Sequence, residues 1–237
     1  EYMSSALEER RRLLKTAPIT STRLIELADS MGFVAESEER KNHPEEASAL
    51  MDEAVNIIKG YEGHKDAYAY ALLNRAKYRQ TKSPEIPEGF LEEMNVIIPA
   101  LDAVAIKDKR TCENLAQAYM FRSMTRDPND YDDLLDDLKG AYDNLYTVAQ
   151  MGDVNEMFLM SVAHSYLVLL NMKDHDRAKE VREELMELGI SQSDLDRASR
   201  GTIGNVNSKK TKIDMLSSQA AKPIPGRRLR RQIKHKE

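Results

Sequence analysis

Residues 176–189 read DRAKEVREELMELG, and the spacing of their apolar residues decides the fold class. Steps of three, four and three residues separate Ala178, Val181, Leu185 and Leu188. This period places side chains on one face of an α-helix. Gly189 stands where the C-terminal cap of such a helix belongs. The stretch therefore predicts an amphipathic helix that ends at the glycine.

The same period recurs almost throughout the chain, which has no Trp and only four Phe. Clusters of turn-forming residues divide it into segments. We predict helices near 4–15, 20–37, 44–60, 65–82, 88–106, 110–125, 130–150, 154–172 and 176–188. A leading helix within 1–19 and four αα-hairpins within 20–200 then give an all-α fold, in which the hairpins stack as an α-solenoid.

Composition narrows the class of protein further. The chain has 237 residues, of which 41% are hydrophobic and 32% charged, which excludes collagen, a disulfide scaffold and a wholly disordered chain. Cys112 is the single cysteine, so an intramolecular disulfide and a Cys-based zinc site are excluded, and a reducing compartment fits. The longest apolar stretch, Met157–Met172, is shorter than the ~20 residues of a bilayer crossing, and we expect no membrane span.

Three of the predicted first helices of hairpins share a short pattern. Leu115–Tyr119 (LAQAY) and Val162–Tyr166 (VAHSY) have the order apolar, small, any, small, Tyr, and Asn74–Tyr78 (NRAKY) is a looser version. In this pattern the chain resembles tetratricopeptide repeats, and residues 174–190 resemble the second helix of a tetratricopeptide or pentatricopeptide repeat. The resemblance covers about 20–190 and implies that six residues pack the repeats: Tyr78, Ala116, Tyr119, Ala163, Tyr166 and Ala178.

The small residues are expected to let the two helices of a hairpin approach, and each Tyr to fill the groove against the next repeat. The spacing departs from the family, because Tyr78 and Tyr119 are 41 residues apart and Tyr119 and Tyr166 are 47 apart, against about 34 in a tetratricopeptide repeat. Neither a base-reading code nor a peptide-carboxylate clamp is therefore assigned to named positions.

Sequence patterns of catalysis and metal binding are missing from the chain. It has no glycine-rich phosphate loop, GxSxG or HExxH motif. His164 and His175 lie on different predicted helices, and the acidic run 127–137 has Tyr131 and Asp132 where a calcium loop needs a fifth-place ligand and a sixth-place Gly. We expect no enzyme activity, catalytic residue, metal, cofactor or small-molecule substrate.

The charge of the chain is divided unevenly. Residues 200–237 hold eleven Lys and Arg and two acids, a net +9, which leaves −14 for residues 1–199. Residues 201–237 are therefore predicted to be an extended basic tail, in which planar Arg side chains suit phosphate binding. The tail has no aromatic residue to stack on bases. The residues assigned to RNA or partner binding are Lys222, Arg227, Arg228, Arg230, Arg231, Lys234 and Lys236.

A free solvated tail and a localisation signal are the alternatives for this segment. Nearer the start, Arg10-Arg11-Arg12 follows two Glu, which predicts a solvated helix face, with nucleic-acid contact as the alternative. Glu1-Tyr2 precedes the first Met, as in a processed, excised or tagged chain.

A helical body with a basic extension is similar to accessory proteins of ribosomes, especially organellar ones. We therefore expect a non-enzymatic helical-repeat scaffold subunit of a large assembly, above all a ribonucleoprotein such as an organellar ribosome, with the tail on RNA phosphate or a neighbouring subunit. The alternatives are a peptide- or protein-binding adaptor and a structural subunit of a protein-only complex, such as a respiratory or ATP-synthase assembly. The expected location is intracellular, in the mitochondrial matrix or another organelle, with the cytoplasm as the alternative.

Overall fold

The computed structural model describes residues 2–82, 85–152 and 154–196, and the secondary structure within these ranges is entirely helical. The all-α prediction is therefore confirmed. These residues form nine α-helices, followed by a short helix over 192–196. The helices are α1 (Tyr2–Thr16), α2 (Ser21–Arg40), α3 (Pro44–Lys59), α4 (Lys65–Lys82), α5 (Phe90–Asp102), α6 (Lys109–Thr125), α7 (Tyr131–Gln150), α8 (Glu156–Lys173) and α9 (His175–Glu187).

Capping side chains fix where many of these helices begin. Five helices are preceded by a residue whose side chain accepts a hydrogen bond from the backbone N–H three residues further on. These residues are Thr20, Asp108, Asp130, Asn155 and Asp174. Such a cap satisfies a backbone donor that has no partner within the helix. Pro44 begins α3, where a missing N–H costs nothing. After α9, Gly189 adopts a φ of 90°, as a C-terminal cap requires.

One predicted helix is too long. α5 ends at Asp102 rather than near residue 106. The apolar residues Val104 and Ile106 suggested a longer helix, but the Ile106 side chain is 84% exposed. No core contact at that position would offset the entropy of ordering another helical turn.

The chain divides into two compact units, one ending at Ile106 and the other beginning at Lys107. The single helical-repeat domain that the sequence suggests over 20–200 stays a prediction. In the first unit each helix packs against the next, and α2 also packs against α4. Leu7 of α1 joins Leu27 and Met31 of α2 in one apolar cluster, and Ala35 of α2 joins the α3 residues Ala47 and Met51 in another.

The second unit has one continuous core to which α6, α7, α8, α9 and the short helix all contribute. Its largest buried side chains include Tyr142 and Tyr166, whose ring centroids are 5.5 Å apart. Leu195 of the short helix is only 1% exposed and belongs to the same core. The last described residues are therefore held against the second unit. Within the described ranges, no helix has the length and apolar character needed to cross a membrane.

Candidate interaction surfaces

A buried ion-pair cluster joins α6 to α7 in the second unit. Asp137 is fully buried, and its Oδ1 accepts from Arg122 at 2.6 Å (Nη2) and 2.7 Å (Nε). Its Oδ2 accepts from Arg126 Nε at 3.1 Å, and Arg126 also pairs with Asp133. The Arg122 guanidinium lies over the Tyr119 ring, 5.3 Å from its centroid. Two cations and two anions balance, so the cluster holds the helices together without presenting net charge.

The first unit has a comparable cluster between α3, α4 and α5. Arg75 donates to Glu93 at 2.6 Å and to Asp52 at 3.0 Å, and Arg79 reaches the same two carboxylates at 3.2 and 3.3 Å. Glu93 Oε2 and Arg75 Nε are buried without a hydrogen-bond partner. This cluster is charge-balanced as well, and its groups are used within the fold.

The six residues assigned to repeat packing fall into two groups by exposure. Four are almost fully buried: Ala116, Ala163, Tyr166 and Ala178. Tyr78 and Tyr119 are half-buried. The Tyr166 ring packs against Tyr142 of α7, which belongs to the hairpin before its own.

The Tyr119 ring makes a close contact with α7. An added Cβ on Gly140 would lie 2.7 Å from two atoms of the Tyr119 ring. The ring therefore lies against the backbone of α7, the second helix of the same hairpin. A side chain at residue 140 would displace it, which explains why a glycine stands inside a long helix.

Substituting two helical glycines tests this contact. We expect Gly140→Ala to destabilise the second unit by about 1–3 kcal/mol, because the new methyl overlaps a ring that is packed in place. Gly32→Ala in α2 is the matched control, since an added Cβ there meets nothing within 4 Å. It should stabilise the first unit by about 0.4–1 kcal/mol through the lower entropy of the unfolded chain. Urea denaturation measures both, and a stabilising Gly140→Ala would contradict the described packing.

Tyr78 ties α4 to the hairpin before it. Its hydroxyl donates to Glu39 at 2.7 Å and approaches the Pro44 carbonyl at 3.3 Å. Burial and the Glu39 carboxylate raise the pKa of Tyr78 to about 12. Because the neutral phenol is the form that the fold favours, the stabilisation is complete below the ordinary Tyr pKa near 10 and is lost as the pH rises through about 12.

A Tyr78→Phe variant should expose this pH dependence. At neutral pH the variant loses the hydrogen bond and should be less stable than the native chain by roughly 0.5–1.5 kcal/mol. Between pH 10 and about 12 that difference should shrink, since only the native chain has a phenol to ionise. Urea midpoints of both proteins across this range provide the test. A difference that stays constant with pH would show that the phenol is not protected by the fold.

The acidic run 127–137 is used for local structure. Asp127 accepts from the backbone and side chain of Asn129, Asp130 caps α7, and Asp137 lies in the ion-pair cluster. Across the described ranges, no group of three or more His, Cys, Asp or Glu side chains is arranged to hold a metal ion.

Two other chemically notable side chains of the second unit are His164, which is half-buried, and Cys112, which is buried. Both ring nitrogens of His164 are buried without a hydrogen-bond partner, and burial lowers the pKa of the ring. Burial likewise raises the pKa of the Cys112 thiol. His175, in contrast, is exposed at the start of α9. The expectation of a chain without metal or catalytic residues stays a prediction.

The arginine run on α1 is engaged within the first unit. Each guanidinium pairs with a carboxylate, Arg10 with Glu26, Arg11 with Glu53 and Arg12 with Glu9. The first two pairs connect α1 to α2 and α3. The three pairs offset the positive charge of this run.

The outer face of α9 has a different character. Its buried side consists of Ala178, Val181 and Leu185. The opposite side exposes four carboxylates, one cation and a methionine: Asp176, Glu180, Glu183, Glu187, Lys179 and Met186. Glu180 pairs with Arg177, whereas Glu183 and Glu187 form no ion pair with any described residue. This face was not predicted, although the alternation of Glu with apolar residues in 176–189 was the available signal.

The seven cationic residues assigned to the tail lie outside the described residues: Lys222, Arg227, Arg228, Arg230, Arg231, Lys234 and Lys236. No protein-family model matches the chain, and no curated protein or solved structure matches it either. The described geometry thus defines an all-helical protein, and the likeness to tetratricopeptide repeats rests on the residue pattern.

Proposed function

We propose that this chain is a non-enzymatic scaffold subunit of a large ribonucleoprotein, such as an organellar ribosome. In this proposal the hairpins form a tetratricopeptide-like α-solenoid that docks proteins, and the basic tail anchors on RNA phosphate. The observation that carries the proposal is the separation of charge between an acidic body and a basic end, combined with the internal use of arginines in the body.

The described arginine clusters carry little net positive charge with which to bind an anionic partner. Arg10, Arg11 and Arg12 each have a carboxylate partner, and the Arg75–Arg79 and Arg122–Arg126 pairs lie in balanced clusters. Residues 1–199 carry −14 in total, so their field repels RNA. The +9 of residues 200–237 makes this end the favoured point of contact.

A helical body suits the scaffold role. Stacked helical hairpins bury their apolar faces between neighbours and leave a long outer surface for partners. In the first unit the consecutive packing of helices and the added contact of α2 with α4 are compatible with such stacking.

Ultraviolet crosslinking of the tagged full-length chain in its native extract tests the RNA contact. The proposal predicts RNA adducts on peptides within 222–236 and none on the α1 peptide that contains the arginine run. Adducts on α1 alone, or their absence from the whole chain, would contradict the RNA role of the tail.

A peptide-binding adaptor is the second candidate, and one feature of α2 favours it. The Phe33 side chain is 57% exposed, and beside it the space over Gly32 is open. A helical glycine and an exposed Phe both cost stability or solubility, and a partner segment packed against the backbone at this point would offset both costs.

A peptide-library screen against the full-length chain tests the adaptor. Binders that are lost with both Phe33→Ala and Gly32→Ala would support it, since the first substitution removes the apolar anchor and the second fills the open space. Binding unaffected by either substitution would show that α2 is not the binding surface.

A further inference from the structure

We propose that residues 227–236 of this chain dock on the outer face of α9 in the same molecule, and that RNA competes with α9 for them. The competition rests on the proposed function, whereas the docking does not. The basic end is then held against the body until an anionic partner releases it.

The receiving surface is the exposed side of α9, the last long helix described. Glu183 and Glu187 project from it one turn apart without an ion-pair partner among the described residues, and Met186, at the edge of the same face, is 40% exposed. Lys179 is the single cation on this side. The face therefore offers negative charge with one exposed apolar side chain beside it.

The occupant has the complementary composition. Residues 227–236 read RRLRRQIKHK and contain six Lys and Arg and no acid. Leu229 and Ile233, four residues apart, are its apolar members. Salt bridges at an exposed face are individually weak, but several charges combined with an apolar contact at Met186 can hold a tethered segment.

The connection between the two parts allows the contact. The described part of the chain ends at Asp196, which follows Leu195 in the core of the second unit. The Asp196 Oδ1 atom lies 3.8 Å from Nη1 of Arg182 on α9. The intervening residues 197–226 number thirty and reach at most ~100 Å when extended. α9 is only ~20 Å long, so the segment starts beside its target. Tethering of this kind gives effective concentrations on the order of 1 mM.

Docking at this concentration affects RNA binding by a calculable amount. A segment that binds α9 with a dissociation constant near 0.1 mM would be bound about nine-tenths of the time. RNA must displace it, so the apparent RNA affinity falls roughly tenfold. Weakening the α9 face should restore the lost affinity.

Zero-length carbodiimide crosslinking of the full-length chain, without RNA, tests the docking. The expected products are intramolecular links from Lys234 or Lys236 to Glu183 or Glu187, found in monomer by mass spectrometry and suppressed in about 1 M salt, where charges are screened beyond ~3 Å. Links spread evenly over all exposed carboxylates, or found only in crosslinked dimer, would overturn the proposal.

Addition of poly(U) separates the docking from the function. Crosslinks that disappear when poly(U) is added support both the docking on α9 and the RNA role of the tail. Links that persist while poly(U) remains unbound leave the docking standing and remove the RNA role. If links are missing and poly(U) still binds, the docking is wrong and the RNA role stands.

A pair of charge-matched variants tests the competition. Glu183→Gln with Glu187→Gln should raise poly(U) affinity up to about tenfold. Glu45→Gln with Glu46→Gln, at the exposed start of α3, removes the same net charge and controls for the field of the whole protein. Equal affinities of the two variants would overturn the competition.

Discussion

Replacing Asp137 with alanine is expected to lower the free energy of unfolding of the second unit by about 3–5 kcal/mol, the usual cost of removing one partner of a buried ion pair. Asp137 is 0% exposed, and the Arg122 and Arg126 side chains that it pairs are only 18% and 23% exposed. Without the carboxylate, both guanidinium groups stay in the α6–α7 interface with less compensation. Urea denaturation followed by circular dichroism measures the loss.

The neighbouring aspartate provides the control. Asp136 is exposed, and it forms no ion pair with any described residue. Asp136→Ala should change the free energy of unfolding by no more than about 0.5 kcal/mol, as surface substitutions usually do. Equal effects of the two substitutions would mean that the buried cluster does not hold α6 and α7 together.

Substituting Arg227, Arg228, Arg230 and Arg231 with alanine should have the largest effect on RNA binding. If each contacts a phosphate, the slope of log affinity against log salt for single-stranded RNA should fall by about 3, and binding at moderate salt should weaken on the order of a hundredfold. Fluorescence anisotropy with labelled poly(U) across a salt series measures both quantities.

The same four positions substituted with lysine form the control. Lysine keeps the charge but lacks the planar fork of arginine, so the salt slope should hold while the affinity falls modestly. A salt slope that the alanine variant leaves unchanged would show that these arginines do not contact phosphate.

Helix positions could be predicted from the sequence because their determinants are local. Apolar spacing and capping residues such as Asp108, Asn155 and Asp174 lie within a few positions of the boundaries that they set. The end of α5 was missed because Ile106 is apolar but exposed, and exposure depends on which other helices are near.

The pairings between helices could not be predicted in this way. Five aspartates stand between residues 130 and 137, and Asp137 is the one that lies against both Arg122 of α6 and Arg126, which follows α6. The reason for a glycine at residue 140 is likewise found only in the tertiary fold, where the Tyr119 ring lies against it. Single-sequence patterns give the helices and their apolar faces, while the partner of each polar or small residue is set by the tertiary fold.

The charge of the sequence was enough to predict the basic segment at residues 200–237 and its separation from the acidic residues 1–199. The acidic outer face of α9 became visible only when the opposite side of the same helix was found buried. Assignment of the tail to RNA stays a prediction, since its residues lie outside the described ranges.

Sedimentation of the tagged native protein from cell extract, with and without RNase, tests the ribonucleoprotein proposal most directly. The proposal predicts a heavy particle without RNase and its collapse after RNase treatment, with the co-purifying RNA identifying the assembly. A heavy particle that resists RNase would point to a protein-only complex. A protein that sediments as a light species in both runs would contradict the scaffold role and favour the adaptor.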